Sequence, residues 1–370
     1  MKAAVVEALA RIQLKEVEVP KLLPDSLLLK VRACAVCGSD LRIVYAGDNR
    51  ARFPLILGHE MAAEVVEVGA DAQGYAVGDR VTVAPGVSCG ECTYCRRGWQ
   101  NLCQNMISIG YFWPGGFAEY MAPPPRALTQ GFVNRIPDAL SFVEATLAEP
   151  LACCLNGQEL LKVTSDDTVV VIGAGPTGLM HAMLAVNRGC RKVIVVQRSA
   201  GRLNLARARV KADLFVSSME EDAVQRVEEE TGGLGADVVI VAAPSKEGQR
   251  MALEMVGRRG RVSFFGGLPH SDPMAFLDSN LIHYKECTVM GASSSTSRQN
   301  QEALRLLASG AIKASDLITH VFPLEQIQAA LQAARGKAGL KVVVVPSGPE
   351  GLTGKAGGEP AQVSEDKGQG

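Results

Sequence analysis

Four cysteines lie within fifteen residues of one another, separated by two, two and seven residues: Cys89, Cys92, Cys95 and Cys103. Thiolates at this spacing can surround one ion, and four of them make a closed tetrahedral zinc site with no position for substrate. The alternative is a set of free or paired thiols. A reducing compartment, which keeps thiols free for metals, favours the zinc interpretation. We therefore predict a structural zinc that stabilises a lobe with few apolar side chains to form a core.

A second set of metal-binding residue types is spread more widely along the chain. Cys37 precedes His59 by twenty-two residues, Glu60 follows directly, and Glu149 stands in the sequence Glu-Pro-Leu. Thiolate, imidazole and carboxylate all bind zinc, and a site of three or four ligands with an exchangeable water is a catalytic one. Taken alone, Cys37 and His59 are more often a buried thiol and a core histidine. Their combination with a cofactor site favours a catalytic metal.

A glycine-rich turn provides that cofactor site. Gly173, Gly175 and Gly178 form a G-x-G-x-x-G pattern that follows an apolar run at 168–172 and opens a predicted helix at 179–187. In this setting the first glycine makes the turn, the second admits a pyrophosphate, and the third lets helix and strand approach. The predicted cofactor contacts are Gly173, Gly175, Pro176, Thr177, Gly178, Leu179, Gln197, Arg198, Ser199, Arg202, Ala242, Gly266 and Gly267.

The end of the next apolar run distinguishes the two nicotinamide cofactors. An acid there binds the ribose 2′-hydroxyl of NAD, whereas a cation accommodates the 2′-phosphate of NADP. This chain has Gln197 at that position, followed by Arg198, Ser199 and Arg202. Two guanidinium groups and a hydroxyl suit a phosphate, so the sequence favours NADP over NAD.

The elements that must position these residues fall into two kinds. The first 155 residues alternate short β-type runs with glycine and proline, which predicts a mostly antiparallel, barrel-like region. From 156 to 290, apolar strands alternate with helix-length segments, which indicates a doubly wound parallel sheet. Residues 291–346 are predicted to return to the first domain, so the parallel sheet is an insertion. Residues 347–370 are rich in glycine and charge, and we expect a disordered tail.

Composition excludes several classes of protein. The 370 residues carry 38 basic and 39 acidic side chains, and this balance argues against a general nucleic-acid binder. No apolar stretch has the length of a membrane span, and the start of the chain does not resemble a signal peptide. The sequence therefore predicts a cytoplasmic protein with no nucleic-acid or membrane partner.

With these motifs the chain resembles the zinc-dependent medium-chain dehydrogenase/reductase (alcohol dehydrogenase) family over residues 1–346. Within the family it is similar to the polyol (sorbitol, iditol) and threonine dehydrogenase branch. The resemblance implies an α/β fold: a GroES-like, mostly antiparallel β-barrel catalytic domain with an inserted Rossmann domain. It also implies Zn²⁺ at two sites per chain, a small polar alcohol or ketone as substrate, and a homodimer or homotetramer.

Residue roles follow from the same resemblance. Cys37, His59 and Glu60 are implied ligands of a catalytic zinc, and Glu149 is a fourth that exchanges with water. Ser39 is implied to relay a proton while hydride moves from the alcohol carbon to NAD(P). The implied activity is a zinc-dependent alcohol or polyol dehydrogenase acting on a secondary hydroxyl of a polyol, cyclitol or sugar.

Departures from the branch keep alternatives open. Polyol dehydrogenases often carry a histidine where this chain has Arg42, and sorbitol dehydrogenases place an Arg-Tyr pair where it has the hydroxyl-rich run 293–296. That run suits a polar substrate and equally an ordinary loop. An L-threonine 3-dehydrogenase-like enzyme is the alternative, although the histidine expected before the cysteine lobe is absent. A nucleotide-binding protein without turnover conflicts with the presence of a full set of candidate zinc ligands.

Overall fold

A computed structural model describes residues 1–337, 339–346 and 348. The chain divides into two compact units. Unit 1 comprises Met1–Glu149 and the described residues from Ser295 onward, and unit 2 is Pro150–Ser294. The domain boundaries predicted from the sequence, after residues 155 and 290, stay a prediction. Apart from residue 348, the predicted disordered tail lies outside the described residues.

The strands have the following bounds: β1 (Lys2–Ala8), β2 (Arg11–Glu16), β3 (Leu27–Ala35), β4 (Leu55–Ile56), β5 (Glu60–Val68), β6 (Arg80–Val83), β7 (Gly86–Val87), β8 (Ile107–Ser108), β9 (Tyr120–Met121), β10 (Val133–Arg135), β11 (Thr168–Ile172), β12 (Lys192–Gln197), β13 (Leu214–Ser217), β14 (Ala236–Val241), β15 (Val256–Phe264), β16 (Thr288–Gly291), β17 (Ile318–Pro323) and β18 (Lys341–Val345).

The helices are α1 (Gly38–Ala46), α2 (Thr93–Arg96), α3 (Arg126–Thr129), α4 (Phe142–Ala145), α5 (Ala148–Leu160), α6 (Pro176–Asn187), α7 (Ala200–Arg207), α8 (Ala223–Glu230), α9 (Lys246–Met255), α10 (Ser279–Lys285), α11 (Ser297–Ala308) and α12 (Ile327–Gly336). Short 3₁₀ turns cover Gln100–Leu102, Ala314–Asp316 and Leu324–Gln326. No helix in the described part of the chain combines the length and apolar character needed to cross a bilayer.

Unit 1 is built on a curved sheet with the strand order β10-β6-β5-β3-β18-β17, with β9 also pairing with β3, beside a smaller sheet of order β2-β1-β4. Neighbouring strands are antiparallel except β17 and β18, which run parallel. Ala35 at the end of β3 faces Glu60 at the start of β5, and Val343 of β18 faces Ala35. This register brings the residues after β3 and before β5 to one end of the sheet. The predicted mostly antiparallel region is confirmed.

Unit 2 contains the predicted parallel sheet, with the order β13-β12-β11-β14-β15-β16. Counted within the unit, this is the order 3-2-1-4-5-6 of a doubly wound dinucleotide-binding sheet. β11 is buried at every position, which explains why its sequence is continuously apolar rather than alternating. Because all six strands run in one direction, the turns at their carboxyl ends share one edge of the sheet.

Candidate active site, zinc sites and dinucleotide turn

Three predicted metal ligands meet at the end of the unit 1 sheet. One ligand atom each of Cys37, His59 and Glu60 lies within 4.8 Å of the other two. Cys37 caps the start of α1 just after β3, and the other two residues stand where β5 begins. The turn before them needs glycine: Gly58 has a φ of +91°, and an added Cβ would stand 2.7 Å from the sulfur of Cys34.

Asp40 holds this group in place from behind. Its side chain is fully buried, and Oδ2 accepts a hydrogen bond of 2.9 Å from the backbone N–H of Cys37. Its Oδ1 lies 3.4 Å from Nδ1 of His59 and accepts a bond of 3.4 Å from the N–H of Gly58. A carboxylate at Nδ1 orients the ring and directs Nε2 toward a metal, as behind histidine ligands in general.

The charges of the group favour a cation. Burial disfavours a protonated imidazole, but the negative charges of Asp40 and Cys37 outweigh it and raise the pKa of His59 well above its usual range. Glu60 is also fully buried, and the ammonium of Lys341 is the partner that the described structure gives to its carboxylate. A partly buried thiol, a buried imidazole and a buried carboxylate are the donor chemistry that zinc prefers, so the three residues fit the ion.

Lys341, the first residue of β18, contributes a buried positive charge. Its ammonium donates a hydrogen bond of 2.6 Å to Oε1 of Glu60 and forms an ion pair with Oε2. Burial lowers the pKa of Lys341, but Glu60 and Cys37, with a further contribution from Glu149, raise it above its usual value. Glu149 therefore lies close enough to Lys341 to act on its charge, although it does not belong to the group of three within 4.8 Å.

Ser39 and Tyr111 flank His59. The hydroxyl oxygen of Ser39 lies 3.4 Å from Nε2 of His59, on the side of the ring away from Asp40. The ring of Tyr111 lies 5.8 Å from the imidazole, centroid to centroid, and tilted by 44°. The predicted relay serine is thus beside the candidate metal ligand, where it can exchange a proton with a group bound there.

The four cysteines of the lobe converge as the spacing predicts. Sulfur–sulfur distances are 3.5 Å for Cys92 and Cys95 and 4.0 Å for both Cys89–Cys95 and Cys92–Cys103. Four sulfurs bound to zinc at about 2.3 Å in a tetrahedron stand about 3.8 Å apart, whereas a disulfide brings two sulfurs to about 2.05 Å. All four thiols are free, so the geometry fits a metal and not a cross-link.

Backbone donors prepare two of these thiols for a metal. N–H groups of Cys95 and Gln104 lower the pKa of Cys92 to about 6. Backbone donors also lower the pKa of Cys89, whereas burial raises that of Cys103 to about 12. A divalent ion bound in the lobe would favour the thiolate form of Cys103 against this effect of burial.

The glycine turn of unit 2 has the shape that a pyrophosphate requires. Gly173 has a φ of +109°, and a Cβ on Gly178 would stand 1.8 Å from the carbonyl oxygen of Gly173. A Cβ on Gly175 would meet nothing within 4 Å, so the space in front of this residue is open. Pro176 and Thr177 begin α6 and Leu179 is buried in its first turn, so the helix N-terminus faces that space.

The ends of neighbouring strands lie beside the glycine turn at the carboxyl edge of the unit 2 sheet. The backbone N–H of Gly173 donates a hydrogen bond of 2.8 Å to the carbonyl of Val196. The N–H of Ala242 donates one of 2.9 Å to the carbonyl of Ile172, and the N–H of Gly266 donates one of 2.8 Å to the carbonyl of Val241. Predicted contacts from β11, β14 and β15 therefore lie side by side. Gly267 also follows β15, and a Cβ there would be unobstructed.

Gln197 is bound within the turn. Its Oε1 accepts a hydrogen bond of 2.9 Å from the N–H of Ala174, and its Nε2 donates to the hydroxyl of Ser199 at 3.3 Å. Arg198 is exposed, and Arg202 in α7 is half-buried, which lowers the pKa of its guanidinium. The three polar residues Arg198, Ser199 and Arg202 surround the start of α7.

The hydroxyl-rich run 293–296 turns out to be partly structural. Thr296 caps α11 by accepting from the N–H of Gln299, and Ser295 is buried and accepts from the amide of Asn300 at 3.0 Å. For Ser295 and Thr296 the ordinary-loop interpretation therefore applies, because their hydroxyls are used within unit 1.

Asp40, Lys341 and Tyr111 were not singled out from the sequence. Asp40 follows Ser39 within the Cys-Gly-Ser-Asp motif, so its position in the sequence indicates that it lies near the candidate site. Lys341 is 281 residues from Glu60, and nothing local in the sequence links the two. The local sequence signal is a lysine at the start of an apolar run, and this does not identify its partner.

Comparison with known proteins agrees with this arrangement. Residues 23–137 match the family model of the alcohol dehydrogenase GroES-like domain, and residues 176–309 match that of zinc-binding dehydrogenases. L-threonine 3-dehydrogenase of Pyrococcus furiosus is 37% identical over 340 residues, covering 90% of this chain and 94% of that protein. The chain belongs to the zinc-dependent medium-chain dehydrogenase/reductase family.

Other relatives place the chain in the same branch of the family. Sorbitol dehydrogenase of Bacillus subtilis is 33% identical, with 94% of this chain and 98% of that protein covered. A zinc-binding dehydrogenase of Sinorhizobium meliloti, solved bound to NADP, superposes with a TM-score of 0.86 at 32% identity, covering 93% and 99% of the two chains. The predicted family, the GroES-like and Rossmann fold and the oxidoreductase class are confirmed.

Proposed function

We propose that the protein oxidises a secondary hydroxyl of a small polar alcohol (a polyol, cyclitol or sugar) to the ketone, and catalyses the reverse reduction, with NADP(H) or NAD(H). The observation that carries the proposal is the group of Cys37, His59 and Glu60 with Ser39 beside it, in a chain that also has an open dinucleotide turn. Thiolate, imidazole and carboxylate ligands with a neighbouring hydroxyl suit metal-assisted hydride transfer better than hydrolysis by a side-chain nucleophile.

The first part of the mechanism is metal binding. Cys37, His59 and Glu60 would hold the catalytic zinc, and Glu149 would be an exchangeable fourth ligand. When bound, zinc supplies a Lewis acid that lowers the pKa of an alcohol hydroxyl, and the nicotinamide supplies a hydride acceptor. Asp40 keeps His59 oriented, and the ammonium of Lys341 contacts both oxygens of Glu60 and so fixes the position of this carboxylate.

The second part is proton transfer by the chain itself. The hydroxyl of Ser39 accepts the proton that leaves the substrate oxygen and donates its own proton outward. Its position 3.4 Å from Nε2 of His59 supports this role, because a relay must stand within hydrogen-bond reach of the group that it serves. The side chain at the next turn of α1 is Arg42, and a guanidinium group has no acceptor atom for the proton. The proton is therefore proposed to leave to water or to the cofactor ribose.

The lobe of four cysteines is proposed to bind the second zinc of the chain. All of its sulfurs are engaged by one another in the described structure, which leaves no position for substrate. The role is structural, because the lobe offers little apolar surface: between residues 89 and 103, Cys103 is the only buried one.

NADP is the proposed preferred cofactor. Gln197 supplies no carboxylate to a ribose 2′-hydroxyl, and its carbonyl oxygen is occupied by the N–H of Ala174. Arg198, Ser199 and Arg202 offer two cations and a hydroxyl at the start of α7, where backbone N–H groups also favour an anion.

Replacing Arg198 by alanine is expected to lower kcat/KM with NADP by about 10- to 100-fold, because a charge-assisted contact with the 2′-phosphate is lost. With NAD the value should change by less than about threefold, since NAD carries no phosphate there. Steady-state kinetics with both cofactors measure the ratio of kcat/KM with NADP to kcat/KM with NAD. An unchanged NADP/NAD preference would remove Arg198 from the cofactor site.

L-threonine oxidation is the second candidate, favoured by the similarity to the Pyrococcus furiosus enzyme. The screen that tests both candidates uses zinc-loaded protein, NADP and NAD in turn, and a panel of polyols, cyclitols, aldoses and β-hydroxy amino acids. We expect reduction of the cofactor with polyols or sugars to exceed that with threonine. Two zinc ions per chain are expected by metal analysis; a single ion together with no turnover on any alcohol would overturn the proposed function.

We propose a cytoplasmic homodimer or homotetramer, because ten free thiols suit a reducing compartment and family members commonly form oligomers. Sedimentation or light scattering of the purified protein measures the oligomeric state directly.

A further inference from the structure

We propose that Arg42 and Arg50 bind an anionic group, a phosphate or a carboxylate, at the end of the substrate away from the reacting hydroxyl. The inference rests on the proposed function, because it assigns a substrate class to the same site. It narrows the proposed substrate from any small polar alcohol to one that carries an anionic group: a polyol phosphate, a sugar phosphate or a hydroxy acid.

Both arginines belong to the same end of unit 1 as the candidate metal ligands. Arg42 follows Ser39 by three residues on α1, so the two side chains leave the same face of the helix one turn apart. Arg50 is in the loop after α1, and its guanidinium lies 4.6 Å from the ring centroid of Tyr111. That ring is in turn 5.8 Å from the ring of His59, so a single aromatic side chain separates the cation from the site.

Asp48 fixes both guanidinium groups. Its side chain is fully buried, and Oδ2 accepts bonds of 3.0 Å from Arg42 and 2.9 Å from Arg50. Arg50 adds a second bond of 2.9 Å from Nε to Oδ1, which completes a two-point contact. Hydrogen bonds from Arg50 hold the pKa of Asp48 well below its usual range, so the carboxylate stays charged. One carboxylate thus balances one of two cations, and a net positive charge is left over.

Asp48 does not use all of the donors of the two arginines. The contacts with Asp48 use Nη2 of Arg42 and Nε and Nη2 of Arg50, so Asp48 leaves Nη1 of each guanidinium unused. Arg50 also bonds the side chain of Tyr111, so Arg42 offers the larger share of the remaining donors. The Nε of Arg42 is buried without a hydrogen-bond partner among the described residues. The side chains are 35% and 54% exposed, so a substrate can reach them. Guanidinium groups held rigidly in this way recognise phosphate and carboxylate by paired hydrogen bonds.

The competing interpretation is that Arg42, Asp48 and Arg50 only stabilise the loop after α1. In that case their loss would impair every substrate equally, because the damage would act through loop structure. An anion site instead predicts a loss restricted to charged substrates. Substrate charge therefore separates the two explanations within one experiment.

The test compares Arg50→Gln and Arg42→Gln with Arg52→Gln, a matched control that removes an exposed arginine from the same loop. Each zinc-loaded protein is assayed on a polyol phosphate, the corresponding neutral polyol and a hydroxy acid of the same chain length. For the better anionic substrate we expect KM to rise about 10- to 100-fold in the two test variants and to be unchanged in the control. Values of kcat/KM for the neutral polyol should stay within about twofold.

A binding measurement keeps the inference testable apart from turnover. The melting temperature is followed with increasing inorganic phosphate or acetate at constant ionic strength set by chloride. We expect a stabilisation by one of these anions that is smaller in Arg50→Gln than in Arg52→Gln, and the more effective anion identifies phosphate or carboxylate.

Two outcomes would overturn the anion site: equal losses on charged and neutral substrates, or wild-type protein that does not prefer a charged substrate. Far-ultraviolet circular dichroism and zinc content exclude unfolding of the variants, and Arg50→Lys, which keeps the charge but not the paired donors, should lose less than Arg50→Gln. If no alcohol is oxidised at all, the proposed function fails, while the difference in anion stabilisation still decides the inference.

Discussion

Cys37→Ser is expected to lower kcat by about three orders of magnitude or more while leaving the fold intact. Metal catalysis of hydride transfer contributes several kcal/mol of barrier lowering, and each 1.4 kcal/mol is a factor of ten in rate. Cys37 supplies one of three donors that meet within 4.8 Å, and serine is a much weaker zinc ligand than a thiolate. Zinc content should fall from about two ions to about one per chain, because the cysteine lobe keeps its own ion.

Turnover, zinc content and the near-ultraviolet circular dichroism spectrum measure this result together. Cys190→Ser is the matched control, because Cys190 is a half-buried thiol of unit 2 that donates to the carbonyl of Thr164 and has no place in either metal group. It should retain both ions and normal activity. Full activity in Cys37→Ser would contradict a catalytic role for the metal group.

Cys92→Ser is expected to produce the complementary loss. Zinc content should again fall by about one ion, but the main effect should be on stability, because binding energy at a structural zinc site is folding energy for the segment that it organises. Losing such a metal belongs to the mechanisms that cost about 4 kcal/mol or more. The loss is expected to be local, since the lobe contributes almost no buried surface to the sheet of unit 1.

Limited trypsin digestion detects such local unfolding. Arg96 and Arg97 are exposed residues within the lobe, and the hydrogen bond from Nε of Arg96 to the carbonyl of Glu91 depends on its turn. Cleavage there should be at least about tenfold faster in Cys92→Ser than in wild type or Cys190→Ser. Activity at low temperature should fall far less than in Cys37→Ser. Identical digestion of all three proteins would show that the lobe does not need its metal.

A disulfide framework makes the opposite prediction for the same residues. If Cys92 were cross-linked, a reducing agent would reproduce the effect of Cys92→Ser and a chelator would not. With zinc, a chelator reproduces it and a mild reductant does not. The sulfur–sulfur distances of 3.5 to 4.0 Å favour the second result.

The sequence predicted much of the fold because the relevant signals are local. The strand Thr168–Ile172 is apolar at every position and is followed at once by the glycine pattern, so a short window contains both the strand and its turn. The short strands β13 and β16 gave weaker signals, because edge strands are partly exposed and need no continuous apolar run.

The sequence by itself determined which residue types are available for chemistry. The spacing of the four lobe cysteines, the Cys-Gly-Ser-Asp and Gly-His-Glu motifs and the glycine turn are properties of short segments, and their geometry follows from local chain constraints. Family membership follows from these motifs as well.

Only the tertiary structure decided which distant charges meet at the site. The pairing of Lys341 with Glu60, the position of Glu149 outside the close group, and the contact of Arg50 with Tyr111 join segments far apart in the chain. These contacts depend on the register of β3 against β5 and β18 and on the path of the loop after α1. A one-residue change in register would turn Glu60 and Lys341 to the opposite face of the sheet, and Arg50 and Tyr111 lie in loops far apart in the chain, so no local pattern specifies these pairs.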